Sequence, residues 1–75
     1  MNIHEFVSEK IQEITFRKVT NDDLLWSDNI LDSINIIELI VEIENEFQIK
    51  IPNSEIVLDN FEKLDSIVKY IESKK

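Results

Sequence analysis

Not one glycine occurs in the 75 residues from Met1 to Lys75. That absence narrows the possible folds. Tight two-residue hairpins need positive φ at their central positions, which glycine adopts at least steric cost, so a sheet built from such hairpins is disfavoured. Phosphate-cradling loops of the P-loop or dinucleotide kind are excluded, because their backbones approach the ligand through glycines. Size sets a second bound. A chain this short buries only roughly 60% of the surface its unfolded form exposes, so a single small domain over residues 1–75 is expected.

The apolar residues recur with helical period. Ile3, Val7, Ile11 and Ile14, with Phe6 beside them, mark a first helix over about residues 3–16. Asn2 followed by Glu5 resembles a capping box, and Arg17 and Lys18 stand where cations suit the dipole at a helix end. Residues 19–32 are irregular, with loop-like clusters at 20–23 and 27–29. Leu24, Leu25 and Trp26 lie between those clusters and are expected to fold back onto the core. A loop of this length is uncommon in so small a domain and is often functional. A second helix spans residues 33–47. Pro52 ends the segment after it, and Asn53 or Ser54 is expected to cap a short third helix over 54–58. Leu64, Ile67, Val68 and Ile71 mark a last helix, with Lys74 and Lys75 at its end. Only residues 48–51 alternate, too few to build a sheet. The fold class is therefore all-α: a small four-helix bundle of three main helices and one short one, with a long loop between helices 1 and 2.

The second helix carries two apolar stripes. With Ile36 at zero on a wheel of ~100° per residue, Ile40, Ile43 and Phe47 fall within about 40° and Leu39 at about -60°. These are core positions. Ile37, Val41 and Ile34 fall at about 100°, 140° and 160°, edged by Glu44 on one side and by Asn45 and Glu38 on the other. A helix in a small bundle needs only one buried stripe. The second stripe either docks a partner or packs under the long loop or the third helix, and periodicity alone leaves both open.

Charge follows the same region. The net charge is -8, and residues 21–62 hold eleven acids against one base, Lys50. An acidic run is usually a solvated face. This one coincides with the second stripe, which favours docking to locally basic proteins. Nucleic acid is not an expected partner, because its binding rests on neutralisation of phosphates by Lys and Arg. With no Cys there is no disulfide, thiolate zinc site or redox centre, which fits a reducing cytoplasm. The start lacks the basic and apolar regions of a signal peptide, and no apolar run approaches the ~18 residues of a membrane span. The expectation is a soluble cytoplasmic monomer without membrane insertion.

Independent catalysis is not expected. His4, the single histidine, stands near a terminus. The carboxylates at Asp22, Asp23 and Asp28 lack the calcium-loop spacing and its glycine, so no metal site is assigned. The informative pair is Asp32-Ser33, where the loop meets the second helix. Both residue types serve as helix N-caps, and capping alone would account for them. A serine hydroxyl there is also exposed, and the free N–H groups and dipole of a helix start stabilise an anion such as a phosphodiester.

Leu31-Asp32-Ser33-Ile34, continuing through Asn35-Ile36-Ile37-Glu38-Leu39-Ile40, resembles the Asp-Ser-Leu attachment motif of the acyl and peptidyl carrier proteins. Glu42-Ile43-Glu44-Asn45-Glu46-Phe47 resembles the acidic end of that family's second helix, and Ile49-Lys50-Ile51-Pro52 the segment after it. Asn60-Phe61 with Leu64, Ile67 and Ile71 resembles the entry to its final helix. The resemblance covers about residues 3–72. It implies a 4'-phosphopantetheine arm, derived from coenzyme A, on Ser33, with an acyl or aminoacyl cargo held as a thioester on the arm's thiol. It implies that Asp32 serves the phosphopantetheinyl transferase and its magnesium. Ile34, Ile37, Glu38, Val41 and Glu44 match the surface that meets basic patches on the transferase, on a loading ligase and on downstream acyltransferase or synthase enzymes. Ile34 replaces the usual Leu, and Leu31 replaces a residue that is often small. Those departures imply a stand-alone carrier of a specialised pathway: aminoacyl, D-alanyl or polyketide-type. The alternative is a small acidic interaction module, an adaptor or a mimic of nucleic-acid charge, with no prosthetic group.

Overall fold

The Asn2 side chain accepts the Glu5 N–H at 2.7 Å and starts α1 (Ile3–Thr15). The structure is a computed structural model that describes residues 2–75. Phe16 closes α1 in the left-handed conformation, φ 58°, and donates its N–H to Gln12 C=O. The helix therefore stops one residue before the expected end, and Arg17 and Lys18 lie beyond its last turn. Phe6, Val7 and Ile11 are buried, while Ile3 and Ile14 pack at the core margin.

α2 (Ser33–Phe47) has the expected bounds, and Ile36, Leu39, Ile40 and Ile43 form its buried stripe. The ring of Phe47 meets that of Phe6 edge-on, with centroids 5.2 Å apart. α1 packs against both α2 and α4 (Leu64–Lys74). α4 buries Leu64, Ile67, Tyr70 and Ile71, and Val68 is half-buried. All regular elements among the described residues are helical. The long loop does fold back: Leu25 and Leu31 are buried, and Trp26 packs against the core.

The short helix expected at 54–58 is not where the sequence puts it. Residues Asn53–Glu55 make a 3-10 turn, and α3 runs Leu58–Phe61. Pro52 precedes the turn in extended conformation, and the bonds Glu55 N–H to Pro52 C=O and Ile56 N–H to Asn53 C=O are of the tight i to i+3 kind. Neither Asn53 nor Ser54 caps a helix. Glu55 is instead captured from α4: Tyr70 donates its hydroxyl to Oε1 at 2.5 Å, and Lys74 Nζ lies 2.9 Å from the same oxygen. Asn60 holds the Glu55 carbonyl at 2.8 Å. These bonds stop the turn, and the chain restarts as α3. Phe61 therefore belongs to α3, buried against Tyr70, and not to the entry of the last helix.

The hydrogen bond from Tyr70, then that from Lys74, hold the Glu55 carboxyl below its ordinary value of 4.5. A depressed carboxyl stabilises the fold above its unfolded pKa and loses that contribution as pH falls through the folded value. Tyr70→Phe should lower stability at neutral pH. The gap between it and wild type in urea unfolding should narrow as pH falls from about 6 to about 3. A gap that is constant with pH would show that the Glu55 contact adds nothing.

Candidate functional site

At the start of α2 the two polar residues divide the work. Asp32 is the N-cap: its Oδ1 accepts the Asn35 N–H at 2.8 Å, and Asn35 Oδ1 accepts the Asp32 N–H at 3.4 Å, a reciprocal capping box. Asp32 C=O also takes the Ile36 N–H at 2.9 Å. Ser33 is the first helical residue and is exposed. Capping therefore accounts for Asp32 and leaves the Ser33 hydroxyl for other use. The Ser33 and Ile34 N–H groups open onto the same exposed helix end, where an anion is favoured.

Ser33 stands on the lip of an open concavity of about 320 Å³ lined by Trp26, Ile36, Ile37, Asn53 and Ile56. Its walls come from the long loop, α2 and the 3-10 turn. An exposed hydroxyl at a helix start, beside an apolar hollow, fits a covalently attached flexible arm ending in a phosphodiester.

The second stripe of α2 is not covered. Ile34, Ile37 and Val41 are 66%, 59% and 48% exposed, so neither the loop nor the third helix packs on them. Glu38 is exposed alongside them. Ile37 and Val41 also line a groove of about 360 Å³ against α1, with Lys10, Glu13, Ile14, Glu38 and Glu42. Lys10 crosses it, 3.4 Å from Glu13 and 3.5 Å from Glu42. Glu44 has a structural part the sequence did not reveal: its Oε2 accepts the Ile51 N–H at 2.8 Å and pins the segment after α2. His4 Nε2 lies 2.9 Å from Asn21 Oδ1.

Sequence reasoning also missed Glu62. Its Oε1 accepts N–H bonds from Trp26 (3.2 Å) and Ser27 (2.9 Å), and its Oε2 accepts the Ser27 hydroxyl. These bonds, the Ser27 hydroxyl first, hold the Glu62 carboxyl below the ordinary range. No periodicity or motif marks a contact across such a separation.

The helical bundle offers an exposed serine at a helix start, flanked by an uncovered apolar stripe and carboxylates, the arrangement that the resemblance to carrier proteins implies. The comparisons agree. A family model described as "Phosphopantetheine attachment site" matches residues 11–71, and the chain belongs to that family. It is 38% identical over 71 residues to a D-alanyl carrier protein of Streptococcus sanguinis (strain SK36), covering 92% of this chain and 90% of that one. It is 36% identical over 74 residues to D-alanyl carrier proteins of Streptococcus pyogenes serotype M5 (strain Manfredo) and serotype M1, covering 96% of this chain and 94% of each relative. The prosthetic group is a covalent 4'-phosphopantetheine.

Proposed function

We propose that this protein carries an aminoacyl cargo, with D-alanyl as the leading candidate, on a phosphopantetheine arm attached to Ser33. The observation that carries the reading is the division of labour at α2, where Asp32 caps and Ser33 is left exposed at the lip of the apolar concavity. The chain's similarity to D-alanyl carrier proteins supports the cargo class. When attached, the arm supplies a thiol that holds the cargo as a thioester. On the transferase, Ser33 Oγ would lose its proton and attack the pantetheine-side phosphorus of coenzyme A, the pyrophosphate P–O bond breaking and adenosine 3',5'-bisphosphate leaving, so that the arm ends up on Ser33 as a phosphodiester. The Ser33 and Ile34 amides and the α2 dipole stabilise the phosphodiester's negative charge. Asp32 is assigned to the transferase and its magnesium, beyond its capping role.

Partners dock on Ile34, Ile37, Val41 and Glu38, with Glu44 at the edge. They are a phosphopantetheinyl transferase, a loading ligase and a downstream acyltransferase, each with a basic patch. Weak, charge-guided contact of this kind allows quick association and release. The protein acts in the cytoplasm as a carrier and not as a catalyst, and residues 1–75 form one carrier domain. Among the described residues no helix is long and apolar enough to cross a membrane.

The test is intact mass after incubation with coenzyme A and a broad-range phosphopantetheinyl transferase. A gain of one phosphopantetheine is expected. No gain, together with tight binding of a basic protein by the unmodified protein, would favour an acidic interaction module instead.

The docking face is tested separately. Glu38→Lys should lower transferase kcat/KM several-fold and flatten its salt dependence while leaving urea unfolding unchanged. Glu44→Lys should in addition lose roughly 1–3 kcal/mol of stability, because the half-buried Ile51 N–H loses its acceptor. Equal stability losses in both variants would show that the face is structural.

A further inference from the structure

Taking Ser33 as the loaded residue, we propose that Glu62 is a positioning residue for the attachment site. It locks the turn over residues 24–31 so that Trp26 forms one wall of the hollow beside Ser33.

Three contacts from the Glu62 carboxylate fall on Trp26 and Ser27, and the Glu62 backbone carbonyl accepts the Leu25 N–H at 2.7 Å. The turn then closes on itself, with Leu31 N–H donating to Leu25 C=O at 2.8 Å and Asp28 N–H to Leu24 C=O at 3.0 Å. Leu31 adjoins Asp32, the cap of α2. Hydrogen bonds thus lead from the Glu62 backbone to Leu31, two residues before Ser33, and the Glu62 carboxylate adds its own bonds to Trp26 and Ser27 in the same turn.

Packing alone does not fix this wall. Leu25 and Leu31 are 0% and 1% exposed and anchor the two ends of the turn. Trp26 is only half-buried and Ser27 is exposed, so burial leaves their orientation loose. The carboxylate binds those two residues. Its bond to Trp26 is to the backbone N–H, so it fixes the main chain from which the indole reaches the hollow shared with Ser33, Ile36 and Ile37. An enzyme that reaches Ser33 meets Trp26 at once.

Trp26 is the single tryptophan of the protein, so its fluorescence reports the turn directly. Wild type, Glu62→Ala and Glu62→Gln should be compared by Trp26 emission, acrylamide quenching, urea unfolding and transferase kinetics. Glu62→Ala should shift emission to the red, raise quenching about twofold and raise the transferase KM roughly tenfold with less effect on kcat, the mark of a misplaced recognition element. Glu62→Gln keeps an oxygen for both N–H groups and an amide that can donate to Ser27 Oγ, so it should restore most of each. Should Glu62→Ala fail to fold, Ser27→Ala removes one contact and should show smaller changes of the same sign. Wild-type emission and KM in Glu62→Ala, or in Ser27→Ala where that variant stands in, would overturn the positioning role. Failure of wild type itself to load would sink the Ser33 reading instead, so the two failures are distinguishable.

Discussion

Ser33→Ala should take up no phosphopantetheine at all, while unfolding in urea within about 0.5 kcal/mol of wild type. The two halves follow from one geometry. Ser33 is the first residue of α2 and exposed, and the cap bonds are made by Asp32 and Asn35. Alanine is a good helix former and leaves those bonds intact. Asp32→Ala makes the contrast: it removes the acceptor of the Asn35 N–H and should cost about 1 kcal/mol. Intact mass over a time course reads the first effect, and urea unfolding the second. Mass gain by Ser33→Ala would place the arm elsewhere. A large loss of stability would mean that Ser33 is structural after all.

The largest expected effect on stability is at Phe61. It is fully buried, with its ring 5.6 Å from that of Tyr70. α3 is four residues long and has no side-chain cap at Val57, so it has little intrinsic stability and is held by packing. Truncation of a buried phenylalanine typically costs about 3–5 kcal/mol, against a total of roughly 4–11 kcal/mol for a protein of this length. Phe61→Ala should therefore lose from about a quarter to all of the protein's stability and melt well below wild type. Thermal unfolding followed by circular dichroism would show it. A variant with near-native stability would mean that α3 is not held through this ring. Because Phe61 lies next to Glu62, the loss should also release the loop, with Trp26 emission moving to the red at denaturant concentrations where wild type is still folded.

The sequence made some of these features readable and hid others, for physical reasons. α2 was legible to the residue because its period, its Asp cap and the end of its apolar run agree. Its two stripes were legible too, but whether the second was covered depends on where the loop lies, which periodicity does not encode. The proposed site pair, Asp32-Ser33, is marked in the sequence because the motif stands in register with the acidic helix and the Ile-Pro segment. The division between a capping Asp32 and an exposed Ser33 needed backbone geometry. The short helix was misplaced because Glu55 is held by Tyr70 and Lys74 of α4, partners far along the sequence that override the local preference after Pro52. Glu44 read as a docking residue, yet its carboxylate also holds Ile51. Glu62 falls in the acidic run of residues 21–62, and no pattern in the sequence singles it out. Its contacts exist only once the loop has folded over the junction of α3 and α4.

The most direct measurement is fragmentation mass spectrometry of wild type after loading from coenzyme A. The protein has six serines, at 8, 27, 33, 54, 66 and 73, so the outcome is not forced. The arm should be found on Ser33, in a single copy. An arm on any other serine, or none on Ser33, would contradict the assignment.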